Sequence, residues 1–368
     1  MHNNASEEPL VPAGEAAPTP VSIPADSVAE AADQLEKVNL SNQDEARPPE
    51  DPDLWKPHAP TEECPACMVP LPLENGNCTY WACCSKRLCA ACCKEHDRAL
   101  LVTNRKRHKK KQPPLEKTCA FCRIPIHKND VELVSRHEKN IAKDDSRAMF
   151  NLAGMYLQGD KGLRKDEVKA FELLQLAAGQ GCAEAIGQLG FFAVDGQPDS
   201  IPDQTKANEY FEKAAAKGHS LSRVALADIL AQEGEIELAI KHWHLAAAAG
   251  FDHTTKYLWD CFSKGKLSKS DLEKALRAHK AASDEMKSEE RERFAAYKKA
   301  KAGNDQLLKD IYTIYYGGFM NAKELKKALQ AHRHGNRREA TMLIKNKILA
   351  AGVDIESLVE QARLEGSS

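Results

Sequence analysis

A segment of about thirty-seven residues recurs between residues 148 and 250, and this internal repeat limits the folds open to the chain. The copies begin at Ala148, Ala185 and Ser222, and the third has a shorter loop. Equivalent positions hold leucine or small residues: Leu152, Leu189, Leu226; Ala153, Gly190, Ala227; Ala170, Ala207, Ala239; Ala177, Ala214, Ala246; and the closing Gly181, Gly218, Gly250. A period of this length is typical of stacked helical hairpins.

Each copy predicts two antiparallel helices joined by a turn. Small residues let the two helices approach closely, and the closing glycine can adopt the left-handed conformation that ends the second helix. One hairpin cannot bury its own apolar face, whereas stacked hairpins can. The sequence therefore predicts a mostly α-helical solenoid with a concave surface over residues 144–252.

A second duplication lies further along the chain, where residues 258–280 match residues 311–333. It predicts a helix, a turn and a second helix with Ser270 or Asn321 near its start. His279 and His332 occupy equivalent positions, and a histidine at a helix end is a commoner arrangement than a metal ligand. The charged stretch 283–303 is expected to be a solvated helix. We assign residues 253–368 to additional, degenerate helical hairpins.

The first sixty residues differ sharply in composition from the rest. Residues 1–60 hold ten of the eighteen prolines, with twelve acidic and three basic residues. Such a segment cannot bury enough apolar surface to offset its ordering entropy, so we predict a disordered acidic tail. One patch, residues 27–40, fits either a short docking helix or a transient helix without a partner, because four apolar residues share one face: Val28, Ala31, Leu35, Val38.

Neither a secretory signal nor an apolar run long enough to span a membrane is recognisable in the sequence. The expected location is therefore intracellular, in the cytoplasm or the nucleus, and no membrane partner is expected. Thiols in a reducing compartment are better interpreted as metal ligands than as disulfides.

Ten of the twelve cysteines lie between residues 64 and 122. They include adjacent Cys83-Cys84 and three C-x2-C pairs: Cys64 with Cys67, Cys89 with Cys92, and Cys119 with Cys122. A C-x2-C turn offers two thiolates to one metal, and two such pairs complete a tetrahedron around zinc. Eight cysteines therefore predict two zinc ions. Cys182 and Cys261 lie in apolar helical patterns and are expected to be small core residues.

Residues 61–130 resemble the RING-type zinc finger, since the cysteines follow the order C-x2-C, C-C, C-x2-C, C-x2-C. The resemblance implies a two-zinc cross-brace of short strands and a helix, in which the ligand pairs interleave. It assigns one zinc to Cys64, Cys67, Cys89 and Cys92, and the other to Cys83, Cys84, Cys119 and Cys122. Metal binding would then supply much of the stability of a module with so small a core.

The adjacent cysteines depart from the usual RING spacing and are geometrically awkward on one ion. Cys78 is therefore a reserve ligand, and Cys93 and His96 are a spare thiol and imidazole nearby. Cys83 and Cys84 remain preferred, because CCSKRLCAAC resembles the CC-x-K-x-x-C-x-x-C form of this finger in proteins that also contain helical repeats.

RING-type ubiquitin ligases bind a ubiquitin-conjugating enzyme through an apolar groove. The large aliphatic residue and the proline typical of that groove are Ala66 and Ala120 here, and a lost aliphatic side chain removes about 1–3 kcal/mol of apolar burial. Arg123 follows the last ligand, where a cationic residue of active members contacts ubiquitin and the enzyme. Four apolar residues could still line a groove: Pro70, Leu71, Pro72, Leu88.

The repeats resemble the Sel-one-like class of tetratricopeptide-related repeats. The motif A-x3-L-[GA]-x2-Y-x2-G stands in AMFNLAGMYLQG, and KDEVKA and AAGQG follow it. Unit two has Phe192 near the Tyr156 position, and unit three lacks the long turn. The class implies protein binding and complex assembly without catalytic chemistry. The combination of finger and repeats resembles a large group of algal, diatom-type proteins.

The run Arg105–Lys111 is strongly basic and lies between Cys92 and Cys119. It fits a nuclear-import signal, a contact for nucleic-acid phosphates, or a solvated loop whose cations offset the negative charge of two all-cysteine zinc sites. No aromatic residue interleaves the run, which argues against nucleic acid as a partner.

Three functions are compatible with these patterns. The first is a zinc-stapled adaptor that binds proteins through its repeats. The second is a RING-type ubiquitin ligase whose repeats select the substrate and whose finger contributes no nucleophile. The third is a nuclear, nucleic-acid-associated protein. The sequence has no phosphate-binding loop, nucleophile elbow or HExxH motif, so no catalytic or organic-cofactor residue is predicted.

Overall fold

A computed structural model describes residues 52–55, 62–71, 78–196 and 201–351 of the chain. Within them, the cysteine-rich part has four short strands and one long helix: β1 (Glu63–Cys64), β2 (Val69–Pro70), β3 (Cys78–Trp81), β4 (Lys86–Cys89) and α1 (Ala90–Lys109). Strand β1 pairs antiparallel with β2, and β3 pairs antiparallel with β4. The remainder is helical, which confirms the predicted fold class.

The repeats form three helical hairpins, preceded by a helix that packs on the first. The helices are α2 (Asp130–Ile141), α3 (Ser146–Gln158), α4 (Glu167–Gly179), α5 (Ala183–Asp195), α6 (Gln204–Ala216), α7 (Ser220–Gln232) and α8 (Ile236–Ala248). The aligned leucines and alanines are all buried, and all but Ala246 lie in one continuous core; Ala246 packs with Val224 and Phe251 instead. The register predicted from the repeats is therefore confirmed, because the residues that recur are those at which helices touch.

The closing glycines end the second helix of each unit as predicted. Gly181, Gly218 and Gly250 have φ angles of +82°, +87° and +90°. The next residue's N–H bonds back to the last turn, as when His219 donates to the Ala214 carbonyl at 2.9 Å. Both features satisfy carbonyls that the helix end would leave without partners.

Up to residue 351, where the described part ends, six more helices follow: α9 (Thr254–Ser263), α10 (Lys269–Glu285), α11 (Glu289–Ala302), α12 (Gln306–Tyr316), α13 (Ala322–Arg333) and α14 (Arg337–Ala351). Helices α9 and α10 extend the repeat core, whereas α11 to α14 bury a second core of their own. The predicted duplication is thus two helical pairs in different surroundings. Asn321 caps α13, and its equivalent cap on α10 is Ser268, with Ser270 inside the first turn.

The duplicated histidines each pair with an aspartate that the sequence comparison did not include. His279 Nε2 lies 3.0 Å from Asp252, and His332 Nε2 lies 2.8 Å from Asp305. Both aspartates stand twenty-seven residues before their histidine. Each pair therefore ties the second helix to the start of its unit, and among the described residues neither histidine belongs to a cysteine group.

One short piece of the predicted disordered tail has a defined place. Pro52–Trp55 forms a 3-10 turn packed against α6. The proposed docking helix at residues 27–40 lies outside the described residues. No helix in the described ranges is both long and apolar enough to cross a membrane.

Candidate metal centre

Two of the C-x2-C pairs lie in the same kind of tight turn. The N–H of Met68 donates to the Cys64 carbonyl at 2.8 Å, and the N–H of Arg123 donates to the Cys119 carbonyl at 3.2 Å. Met68 and Arg123 have φ angles of +54° and +59°. The positive φ reverses the chain just after the second cysteine, so each turn brings its two thiols together.

The other four cysteines are held by the β3–β4 hairpin and the helix that follows it. Cys83 and Cys84 lie in the hairpin turn, Cys89 ends β4, and Cys92 is in the first helical turn of α1. Ser85, just after Cys84, has a φ of +56° and donates its N–H to the Trp81 carbonyl at 2.9 Å. The hairpin therefore presents one cysteine pair at its turn and another at its base.

The structure gathers these thiols into two groups of four. One group contains Cys64, Cys67, Cys89 and Cys92, and the other contains Cys83, Cys84, Cys119 and Cys122. Within each group all four Sγ atoms lie within 4.8 Å of one another. The groups interleave along the chain. The two pairs of the first group lie before and after Cys83-Cys84, and the two pairs of the second group lie before and after the Cys89-Cys92 pair.

The spacing of the sulfurs in the second group suits a tetrahedral metal. Cys122 Sγ lies 3.4 Å from Cys83 Sγ, and Cys84 Sγ lies 3.7 Å from Cys119 Sγ. Two sulfurs bound to one zinc at about 2.3 Å are about 3.8 Å apart in a regular tetrahedron. The Phe121 N–H also points at Cys119 Sγ, at 3.4 Å, where it would stabilise a thiolate. Adjacent Cys83 and Cys84 both fit this group.

Three further candidates from the sequence lie outside both groups in the described structure. Cys78 is in β3, opposite Cys89, and burial raises the pKa of its thiol. Burial raises the pKa of Cys93 to about 11. His96 Nε2 lies 3.0 Å from the Thr118 carbonyl oxygen, so it braces the chain beside Cys119. Cys182 and Cys261 are buried in the repeat core, as predicted.

The thiols share protons unevenly within each group. Hydrogen bonds from Cys89 and Cys92 lower the pKa of Cys64, and the bond to Cys64 raises the pKa of Cys92. Burial raises the pKa of Cys84 to about 11. A metal-free group therefore holds several protons at neutral pH, and a metal ion must displace them because thiolates are the ligands.

An arginine from the C-terminal helices contacts the first group, and sequence reasoning missed it. Arg291 of α11 donates to the carbonyls of Pro70 at 2.7 Å, Val69 at 3.2 Å and Met286 at 2.8 Å. Its charge also interacts with the Cys89 thiol, which raises the pKa of the guanidinium against the opposing effect of burial. The stretch 283–303 was expected to be solvated; instead one face of α11 packs on the cysteine module.

Helix α1 joins the module to the second core. Arg98 donates to the carbonyls of Tyr315 at 3.2 Å and Met320 at 2.9 Å. Glu95 accepts a bond of 2.9 Å from the Tyr315 hydroxyl. The expectation of a basic solvated loop is wrong in part: Arg105–Lys109 is helical, and the Arg105 guanidinium lies 2.9 Å from the Phe319 ring centroid. Four lysines of the run remain exposed: Lys106, Lys109, Lys110, Lys111.

The module also contacts the first repeat. The Tyr80 hydroxyl donates to Asp145 Oδ2 at 2.6 Å, and Asp145 is the N-cap of α3. Asn140 of α2 donates to the Ala82 carbonyl at 2.7 Å. The hairpin that holds Cys83 and Cys84 is therefore fixed at the entrance to the repeat array.

The residues expected to meet a ubiquitin-conjugating enzyme are divided between surface and core. Ala66 and Arg123 are exposed, each in a tight turn of one C-x2-C pair. Leu71 and Leu88 are buried in the module, at 4% and 1% exposure, and so do not line a surface groove. Pro72 lies outside the described residues.

Comparison with known proteins identifies the repeats. The Sel1 repeat model matches residues 146–182, 183–219 and 232–251, so the helical hairpins of this region are Sel1 repeats. The chain is similar to a Sel1 repeat protein from Oxalobacter formigenes, with 28% identity over 35% of this chain and 98% of that one and a TM-score of 0.31. It is also similar to c5321, described as a protective antigen of uropathogenic Escherichia coli displaying an SLR fold. The two are 16% identical over 72% of this chain and 59% of that one, with a TM-score of 0.37. No curated protein matches the sequence.

Proposed function

We propose that this protein is a zinc-stabilised adaptor, in which a RING-type module with two zinc ions is fixed to a Sel1 repeat array that binds other proteins. The single observation that supports the zinc proposal best is the pair of interleaved four-thiol groups. Sel1 repeats imply protein–protein interaction, which supports the adaptor role. The domain limits that go with this proposal are residues 61–130 for the module and 144–252 for the repeats.

The proposed ligands are the eight grouped cysteines, with zinc preferred because tetrahedral sets of four thiolates are typical of structural zinc sites. When bound, the metal would staple distant parts of the chain. The residues of the module would do the rest: the tight turns orient the thiols, and Arg291 offsets part of the negative charge of the first group.

The test is the zinc-to-chain ratio of the purified, reduced protein, measured by elemental analysis. We expect two zinc ions per chain, and one in each of the variants Cys67→Ser and Cys122→Ser. The matched control Cys93→Ser should retain both ions, because its thiol belongs to neither group. A folded, metal-free module in the reduced protein would contradict the proposal.

A second candidate function is a RING-type ubiquitin ligase, which the exposed position of Arg123 beside the second group favours. Ala66, Ala120 and the buried Leu88 reduce the apolar surface available for a conjugating enzyme. Autoubiquitination with a panel of conjugating enzymes tests it. Activity that is lost in Arg123→Ala but not in Arg136→Ala would support the ligase, whereas silence across the panel with both zinc ions bound would support the adaptor alone.

The nucleic-acid and nuclear-import interpretations of Arg105–Lys111 remain predictions. The exposed lysines favour neither over the other, although Arg105 is committed to Phe319. Phosphate contacts would make binding fall steeply with salt, and neutralising the four exposed lysines should abolish it. No binding at low salt would exclude this function.

A further inference from the structure

The short turn Pro52–Trp55 occupies a groove of the repeat array. Leu54 is 3% exposed and joins the core formed by the repeats. The Trp55 ring lies 4.6 Å from the His242 ring, and Lys241 Nζ lies 5.5 Å from the centre of the indole. Two large apolar side chains in succession therefore anchor a segment that is distant in sequence from the helices it touches.

A buried arginine recognises the backbone of this segment. Arg223 of α7 is 3% exposed, and it donates to the Leu54 carbonyl at 2.5 Å and to the Ala215 carbonyl at 2.8 Å. Among the described contacts of Arg223 there is no carboxylate, and burial lowers the pKa of the guanidinium to about 10. A buried cation is costly unless its donors are satisfied, so this site requires an acceptor at the position of the Leu54 carbonyl.

A cavity of about 550 Å³ continues from Trp55 between α8 and α10. Apolar side chains of Ile240, Leu245 and Leu267 line it together with charged groups of both signs. The groove thus combines a buried pocket for Leu54, the His242 ring beside Trp55, a buried arginine that donates to a backbone carbonyl, and an adjoining cavity. These are the elements with which folded domains recognise short linear segments, where two anchors and a main-chain hydrogen bond determine binding.

We infer that this groove is a docking site for a short segment of a partner protein that contains a Leu-Trp pair in a tight turn, and that the chain's own Leu54-Trp55 occupies it in cis. The inference rests on the protein-binding part of the proposed function and is independent of the metal. The Leu-Trp pair expected in the partner is inferred from the segment that occupies the groove in the structure. A tethered segment has a high effective concentration, so the partner must compete with it and binding is weak until the tail is displaced.

The test is binding of a fluorescent peptide with the sequence of residues 47–60 to the full-length, zinc-loaded protein. We expect the variant Leu54→Ala/Trp55→Ala to bind the peptide at least tenfold more tightly than the intact chain, because the competing segment is removed. The matched control Leu35→Ala/Val38→Ala alters the tail elsewhere and should bind like the intact chain. A peptide with alanine at both anchor positions should not bind.

Equal binding to the intact chain and the double variant would overturn the inference, as would no binding by a variant with native helical circular dichroism. If the double variant does not fold, a protease site replacing residues 56–61 provides a second measurement. After cleavage of the folded protein, the labelled peptide should displace the tail fragment. A fragment that never exchanges is a fixed structural element and contradicts the inference.

A concentration-dependent dimer that is lost in Leu54→Ala/Trp55→Ala would show that a second copy, rather than another protein, is the partner, and would overturn that part of the inference. Zinc content is measured in the same samples. A sample with two zinc ions and no peptide binding separates failure of the docking site from failure of the proposed metal module.

Discussion

Two glycines inside helices of the repeat array have opposite surroundings. Gly190 in α5 replaces the alanine of units one and three, and a Cβ there would lie 2.6 Å from the Phe211 ring. Gly154 in α3 has nothing within 4 Å of the equivalent atom. Phe211 is 1% exposed and cannot move aside without repacking the core. Glycine at 190 is therefore a packing requirement, and glycine at 154 is not.

We expect Gly190→Ala to lower the free energy of unfolding by about 1–3 kcal/mol, as overpacked cores do. Gly154→Ala should raise it by about 0.5–1 kcal/mol, because alanine is the better helix former. Chemical denaturation of both variants measures the difference. A destabilised Gly154→Ala would show that the space beside this residue is needed for something else.

Replacing Arg291 should affect both the stability of the fold and the retention of zinc. Its guanidinium joins β2 to the end of α10 and lies beside the first thiol group. We expect Arg291→Gln to lower the free energy of unfolding by about 2–3 kcal/mol, since hydrogen bonds to charged groups are the stronger ones. The variant should also release zinc to a chelator faster than the unmodified protein does.

The matched control is Arg277→Gln on α10, an exposed arginine paired only with Glu273 among its described contacts. It should change neither stability nor zinc release measurably, because exposed ion pairs contribute little. Arg291→Gln with wild-type stability and wild-type zinc release would remove the argument that α11 supports the metal centre.

At the scale of secondary-structure elements, the start of α3 does more than begin a helix. Asp145 caps the helix by accepting from the N–H groups of Arg147 and Ala148, and it also accepts from Tyr80. Asp203 caps α6 through the N–H of Lys206 alone among its described contacts. The same residue type therefore serves a local purpose in one unit and a tertiary purpose in the other.

We expect Asp145→Ala to lower the free energy of unfolding by more than Asp203→Ala does. Asp203→Ala removes only a helix cap, which is worth about 0.5–2 kcal/mol. The additional loss at Asp145 should disappear when Tyr80 is already replaced by Phe, because the interaction between the two residues depends on the tyrosine hydroxyl. A double-mutant cycle read by thermal unfolding measures it. Additive effects in the cycle would mean that the Tyr80–Asp145 contact does not join the module to the repeats.

At the scale of the whole molecule, the cysteine module lies between two helical cores. Tyr80 and Asn140 fix it to the start of the repeats. Arg98 fixes it to α12 and the segment after α12, and Arg291 of α11 joins Pro70 of the module to the end of α10. Loss of metal should therefore loosen contacts at both ends of the chain, but leave the repeat core, which contains neither thiol group, in place.

Hydrogen exchange before and after chelation tests this. We expect exchange to rise in residues 78–109 and in α11 and α12, and to stay unchanged in α4 to α7. The reason is that structural zinc supplies folding energy only to the part it binds. Uniform loss of protection across the chain would contradict the separation of the two cores.

Proton release gives the corresponding pH dependence. Burial raises the pKa of Cys84, and the hydrogen bond between Cys92 and Cys64 raises the pKa of Cys92, so these thiols are protonated in the metal-free protein at neutral pH. Zinc must expel those protons, and apparent affinity should rise as pH rises from about 6 to 8. Competition with a chelator at several pH values measures it; affinity independent of pH would contradict thiolate ligation.

Several local features of the sequence were sufficient to predict their structures. Recurring leucine and alanine predicted the buried faces of the repeats, and the closing glycines predicted the helix ends, because helix packing and helix termination depend on neighbours within a few turns. The cysteine spacing predicted the two thiol groups through the RING resemblance, although zinc occupancy is still a proposal. The prediction of a solvated helix over residues 283–303 was wrong in part. The stretch is highly charged overall, but one of its faces, with Arg291 and Phe294, packs on the cysteine module.

The sequence by itself determined the helical repeats, their register and the crowding of ten thiols, since each of these follows from spacing along the chain. Only the tertiary structure decided that Arg291 meets Pro70 across 221 residues and that Arg223 meets Leu54 across 169. A contact between residues so far apart leaves no periodic pattern in either segment. Its energy comes from charge-assisted hydrogen bonds between a guanidinium and carbonyl groups that only the complete fold brings within reach.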